Sequence, residues 1–294
     1  GNDRIFGLSG EDWIRAGSGN DYVDGGSGTS DDANGLWDTI DYMNDFNEGG
    51  TQGVTVDLRA GTATGAFGDT DTLIDIERVF GTNLADTLLG SDDDDAFDPN
   101  GGADFIDGRG GWDQLMYHLT DYNGGTQGVA LTMNLSTAAT GDGRVVDSFG
   151  DIDTFANIEA FRLTRYNDTA VGDAGETRFS LLQGNDVLDA GGGVDEVTYH
   201  QEVDYGGNFG IVADLSVVNA QGYATIIDGF GDTDLVKNVE NIRGTGFADY
   251  IKGNASANLL RGGEGADTLD GAAGADNLQG GGGDDDYYVD NAGD

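Results

Sequence analysis

Over long stretches of this chain every ninth residue is an aspartate, and the residue two places after it is apolar. Asp3, Asp12 and Asp21 open the series, followed by Ile5, Ile14 and Val23. Treating Thr29–Leu36 as an eight-residue loop insertion carries it on to Asp38 and Ile40. A second run takes Asp86, Asp95, Asp104 and Asp113, with Leu88, Phe97, Ile106 and Leu115. A third takes Asp168, Thr177, Asp186 and Asp195, with Ala170, Phe179, Leu188 and Val197. The last takes Asp249, Asn258, Asp267, Asp276 and Asp285, with Ile251, Leu260, Leu269, Leu278 and Tyr287. Of these 17 positions 15 carry Asp, and Gly stands two residues before 11 of them. A fixed short period of this kind specifies stacked repeats and not a folded globule of mixed elements.

Glycine at fixed places lets the chain turn through φ > 0 without steric cost. The three residues that follow suit a short strand whose middle side chain points inward, by the alternation of strands. Two nonapeptides then bring the chain back to a stacked strand ~4.8 Å away. Residues 18 apart become neighbours: Asp3 beside Asp21, Asp168 beside Asp186, Asp267 beside Asp285. Carboxylates that close repel unless a cation lies between them. Calcium takes about 6–8 oxygens at about 2.3–2.6 Å, and turn carbonyls can complete the shell. Every residue of the comb except Thr177 is therefore a candidate calcium ligand, Asn258 through its amide oxygen.

The repeats GEGADTLDG, AAGADNLQG and GGGDDDYYV near the C-terminal end, with GNDRIFGLS, GEDWIRAGS and GNDYVDGGS at the other, follow G-G-x-G-x-D-x-U-x. This pattern resembles the calcium-binding nonapeptide of RTX (repeats-in-toxin, hemolysin-type) proteins. The resemblance implies an all-β fold, a right-handed parallel β-roll or β-helix solenoid with two nonapeptides per turn, that binds several calcium ions and is secreted. Matches are weaker where Leu36, Leu84, Asp93, Tyr166, Phe247 and Ser256 replace the Gly of G-x-D.

The spacers between runs repeat as well. Phe67-Gly68-Asp69-Thr70-Asp71 recurs as Phe149-Gly150-Asp151-Ile152-Asp153 and as Phe230-Gly231-Asp232-Thr233-Asp234, at offsets of 82 and 81. Ile76-Glu77, Ile158-Glu159 and Val239-Glu240 keep those offsets. The chain thus reads as one continuous solenoid over 1–294, with units at about 1–80, 81–162 and 163–243 and a terminal run at 244–294. No spacer has the length, caps and period of an independent helical domain. Each is expected to be a wider coil, with Thr72–Val79 as strand and not a short helix. The Asp-x-Asp triplets either cap turns or bind further calcium.

Composition narrows the function. The net charge is −42, from 55 acids of which 46 are Asp. Nucleic acid is excluded as a partner on charge, and no apolar run is long enough to span a membrane as a helix. Self-repulsion on this scale, with 37% hydrophobic residues, predicts a chain that folds only once cations bind. Without Cys, and with His118 and His200 the only imidazoles, the metal must be one that prefers oxygen. Neither H-E-x-x-H nor G-x-S-x-G occurs, so no zinc-protease or lipase centre is expected, and the chain reads as non-enzymatic. His118 and His200 follow Tyr117 and Tyr199 where Tyr42-Met43 stands in the first unit, which favours a structural role. Trp37 and Trp112 precede comb positions and could stack on sugars, though packing against the turn is the simpler reading. Of the run Asp92–Asp95 only Asp95 is in register.

The expected role is a structural or adhesive region, an adhesin-like part of a larger protein exported unfolded (type I secretion) to the cell surface or medium. Any targeting signal is expected outside these residues. The alternatives are a non-catalytic module that binds extracellular polysaccharide beside a polysaccharide-active enzyme, or self-assembly with like chains into a surface layer or filament.

Overall fold

The computed structural model describes residues 1–26, 37–133, 140–290 and 293–294. The insertion Thr29–Leu36 lies outside the described residues. Among them there is no α-helix, only a 3-10 turn at Glu202–Tyr205, and the rest is short strands and turns. Contacts divide the chain into two compact units, Gly1–Thr126 with Gly141–Ala160, and Gln127–Thr140 with Phe161–Asp294.

In the first unit the nonapeptide repeat sets the pairing directly. Arg4–Phe6 lies parallel to Tyr22–Asp24, with Ile5 opposite Val23, 18 residues on. Thr87–Leu89 pairs with Phe105–Asp107, and Ala96–Asp98 with Gln114–Met116, at the same separation. Trp13 pairs with Thr39 across 26 residues, which is 18 plus the eight of the insertion. Alternate nonapeptides fall into different sheets. The middle residue of each strand points between them: Val23, Ile40, Leu88, Phe97, Ile106 and Leu115 are fully buried. Each such side chain contributes about 1.5–3 kcal/mol, and Phe80, Ala96 and Met116 beside them are fully buried as well.

The second unit repeats this arrangement. Thr169–Val171 pairs with Val187–Asp189, Arg178–Ser180 with Glu196–Thr198, Tyr250–Lys252 with Thr268–Asp270, and that strand with Asp286–Tyr288. The fold is a parallel β-roll solenoid, as the comb predicts.

Within each unit, spacer strands pair with strands of the repeats. Thr70–Ile74 lies parallel to Tyr22–Asp24, and Arg78–Phe80 to Thr39–Asp41. Ile152–Ala156 continues from Phe105–Asp107, and Thr233–Lys237 from Val187–Asp189. One feature departs from the parallel expectation. Each spacer inserts an antiparallel strand, Thr62–Thr64, Gly143–Val146 or Ala224–Ile227, beside the strand that rejoins the stack. The connections explain it. Only four residues separate Asp57 from Thr62, and a link that short can reverse a strand but cannot carry it back to a parallel neighbour.

Candidate metal centre

The comb residues form a ladder along the stack. At each step a carboxylate Oδ1 accepts the backbone N–H of the equivalent residue one coil earlier. Asp21 takes that of Asp3, Asp38 that of Asp12, Asp104 that of Asp86 and Asp113 that of Asp95. In the second unit Asp186 serves Asp168, Asp195 serves Thr177, Asp267 serves Asp249, Asp276 serves Asn258 and Asp285 serves Asp267. These bonds span 2.6–3.1 Å. One oxygen of each carboxylate is thereby fixed by the fold, and the other is turned inward.

For Asp21, Asp38, Asp104, Asp113, Asp186, Asp195, Asp267 and Asp276 that second oxygen is buried without a hydrogen-bond partner, and so is Oδ2 of Asp12. A buried carboxylate oxygen left unmet is costly. The glycine five residues before the acid shows what surrounds it. A Cβ on Gly108 would sit 2.3 Å from Asp113 Oδ2 and 2.2 Å from the Asn157 carbonyl oxygen. On Gly7 it would sit 2.3 Å from Asp12 Oδ2 and 2.4 Å from the Gly25 carbonyl oxygen. Carboxylate and carbonyl oxygens from successive coils thus converge on a space that any side chain would fill. An all-oxygen donor set of this kind fits calcium. No three of His, Cys, Asp and Glu gather around one point among the described residues, so an ion here would draw on the ladder acids and turn carbonyls together.

Burial raises the carboxyls of Asp38, Asp104, Asp113, Asp186, Asp195 and Asp267. It pushes Asp113 up to about 9, with the charges of Asp95 and Glu159 adding, and Asp195 to about 8, with Glu240 adding. Asp104 and Asp186 are raised by burial and by their ladder neighbours, Asp153 and Asp86 in one case and Asp168 and Asp234 in the other. Asp267 moves up for the same reason, Asp285 being its acidic neighbour. A dication beside such a group replaces the lost solvation and keeps it ionised.

The first coil of each later run is built differently. Both oxygens of Asp86 are engaged, by the N–H and hydroxyl of Thr82 and by the Val54 N–H. Thr164 and Val129 do the same for Asp168, and Thr245 and Ile211 for Asp249. In each case these hydrogen bonds close a turn onto the acid. Ser91 donates to Asp95, and Asn254 to Asn258, in the same position four residues ahead. Asp3, at the first coil, is exposed.

Six rungs escape the nine-residue spacing. Asp71, Asp153 and Asp234 accept the N–H groups of Asp21, Asp104 and Asp186. Glu77, Glu159 and Glu240 accept those of Asp38, Asp113 and Asp195. The signal for all six was present in the sequence: Leu73, Phe155, Val236, Val79, Phe161 and Ile242 stand two residues on, as in the comb. Asp71, Asp153 and Asp234 also receive the hydroxyls of the buried Tyr42, Tyr117 and Tyr199, at 3.2, 2.8 and 3.0 Å. Asp69, the partner of Asp71 in its Asp-x-Asp triplet, likewise accepts the Gly19 N–H from the coil before.

The missing glycines have a steric reason. Gly102, Gly111, Gly184 and Gly265 take positive φ, and a Cβ on each would meet the backbone of Leu84, Asp93, Tyr166 and Phe247 within 2.4–2.6 Å. Glycine is needed on the coil that stacks over another nonapeptide turn, and not on the turn beneath it. His118 is buried with Asp98 3.6 Å away, and His200 is half-buried against Thr198. Trp37 and Trp112 are half-buried. Of the Asp92–Asp95 run only Asp95 is buried.

A family model described as RTX calcium-binding nonapeptide repeat (4 copies) matches residues 1–30, 80–115, 164–197, 239–269 and 261–294, more than half of the chain. No curated protein matches the chain significantly.

Proposed function

The chain belongs to the RTX calcium-binding nonapeptide repeat family, whose repeats are calcium-binding structural modules, and from that premise we propose that it is the structural and adhesive region of a secreted protein that folds as calcium binds. The observation that carries this reading is the set of nine buried, unpartnered carboxylate oxygens in a chain of net charge −42. Those nine acids are the proposed principal ligands. Asp3 and Asp285 are assigned to the outermost coils, and Asp86, Asp95, Asp168, Asp249 and Asn258 act first as turn caps.

Without cations, stacked carboxylates oppose compaction and the narrow core offers little in return. When bound, calcium supplies the positive charge between coils. Weak extracellular-type sites have affinities near 10⁻⁴–10⁻³ M, too weak to fill in a low-calcium cytosol, so the chain would stay unfolded until export. The absence of Cys removes any disulfide that export would have to manage. Circular dichroism tests this. In chelator the chain should be largely disordered, and millimolar calcium should restore a β spectrum. A spectrum indifferent to chelation overturns the proposal.

A further inference from the structure

Two buried acids of the second unit stand off the ladder. Glu202 opens the 3-10 turn Glu202–Tyr205, and Asp228 follows the strand Ala224–Ile227. They are 1% and 0% exposed. The backbone engages one oxygen of each. Glu202 Oε2 accepts the Gly229 N–H at 2.7 Å, and Asp228 Oδ1 accepts those of Phe230 and Asp232 at 3.0 and 2.7 Å. The other two oxygens, Glu202 Oε1 and Asp228 Oδ2, are buried with no hydrogen-bond partner. No Lys or Arg among the described residues pairs with either acid.

The two carboxylates are neighbours. The N–H that holds Glu202 belongs to the residue after Asp228, and Asn208 and Phe209 donate back to the Gly229 carbonyl at 2.9 and 3.1 Å. Burial pushes Glu202 up to about 9, with the charge of Asp228 adding most among its acidic neighbours. Asp234, also close, is already engaged by the Asp186 N–H and the Tyr199 hydroxyl.

The internal repeat shows how this place was opened. Three residues after Tyr42, Tyr117 and Tyr199 stand Asp45, Thr120 and Glu202. Before Phe67, Phe149 and Phe230 stand Gly65-Ala66, Asp147-Ser148 and Asp228-Gly229. In the middle copy the Thr120 and Ser148 hydroxyls meet at 2.8 Å, a neutral pair. In the last copy Gly229 replaces the serine and gives the longer acid room. A Cβ there would lie 2.4 Å from Glu202 Oε2 and 3.0 Å from the Phe209 carbonyl oxygen. The last spacer thus exchanges a hydroxyl pair for a second carboxylate.

We propose that Glu202 and Asp228 hold a calcium ion inside the last spacer, off the nonapeptide ladder, with Glu202 Oε1 and Asp228 Oδ2 as its carboxylate donors. Hard oxygen donors select calcium among the common divalent ions. No third acid joins these two at one point among the described residues, so backbone carbonyls and water complete the shell. The ion offsets the cost of burying two unpaired charges and pins the 3-10 turn to the spacer hairpin. The proposal rests on the calcium-folding reading but on none of its ladder ligands.

Native mass spectrometry of the full chain counts the bound calcium, after circular dichroism in millimolar calcium has shown that each variant folds. A wild-type chain that binds no calcium would overturn the folding reading and this site with it. Given a calcium-bound wild type, Glu202→Gln and Asp228→Asn should each bind one ion fewer. The double variant should also lack only one, because both acids serve the same ion. Asp204→Asn, exposed on the same turn, should keep the full count. If Glu202→Gln does not fold, Glu202→Thr with Gly229→Ser restores the pair that fills this place in the middle copy, and should fold with one ion fewer. An unchanged count in a folded Glu202 or Asp228 variant would mean that a proton and not a metal holds the pair, and would overturn the site alone. Loss of two ions in the double variant would overturn it as well.

Discussion

Two aspartates one coil apart show how differently the same residue is used. Asp267 gives one oxygen to the Asp249 N–H and keeps the other buried and unpartnered, whereas Thr245 and Ile211 engage both oxygens of Asp249. Asp267→Ala should therefore lower the number of bound calcium ions and fray residues 249–290. Asp249→Asn should keep that number and cost about 1–3 kcal/mol of stability, because its new amide N–H₂ would face the Thr245 N–H. Calcium titration alongside thermal melting separates the two. The carboxyls also predict a pH response. Asp113 and Asp195 rise to about 9 and about 8 in the fold, from about 3.9 unfolded. The metal-free folded state thus binds more protons between those limits, so its proton-linked stability is complete below about pH 4 and lost as pH rises through 8–9. Calcium-free chain should be more ordered at pH 4–5 than at pH 8, by circular dichroism. Calcium, which needs the ionised form, should bind more tightly as pH rises. The apolar residue two places on marked each rung in the sequence. Which rungs keep a free oxygen depended on Thr82, Thr164 and Thr245, whose significance appears only when the turn closes on them.

At the level of the turn, glycine is demanded by what lies beneath it. Gly265 has φ +132 and its Cβ would lie 2.5 Å from the Phe247 carbonyl oxygen, while Gly246, in the turn below, has no atom within 4 Å of that position. Gly265→Ala should cost about 1–3 kcal/mol through strained backbone and a forced separation of coils. Gly246→Ala should be neutral, or stabilising by about 0.4–1 kcal/mol through the unfolded chain. Melting temperatures of the two variants in saturating calcium decide this. The spacers were legible as coils from Ile76-Glu77 and its two copies. Their antiparallel strands Thr62–Thr64, Gly143–Val146 and Ala224–Ile227 were not, because a three- or four-residue strand has too few alternations to announce itself.

For the molecule as a whole, the balance is between net charge −42 and a narrow core. Folding should follow calcium with a midpoint in the range of about 10⁻⁴–10⁻³ M. Magnesium at equal concentration should not replace it, since it demands near-ideal octahedral geometry and gives up its waters reluctantly. Tryptophan fluorescence during the two titrations checks both statements, and a nanomolar calcium midpoint would contradict folding after export. The stacking itself was determined by local sequence: a period of nine, glycine at the turns and one apolar residue per strand leave the chain few other ways to bury its core, and Ile5 pairs with Val23 as that period requires. Charge and donor chemistry likewise pointed to calcium before any coil was built. Tertiary structure alone decided what depends on residues far apart in the chain. It made Asp71 the rung above Asp21, 50 residues away, and gave Asp86 its Thr82 cap. It also gathered Arg178, Arg243 and Arg261 around one Glu196. A periodic sequence sets which neighbours stack within a run, but the lengths of the aperiodic spacers set which runs meet, and those lengths act only through the closed backbone.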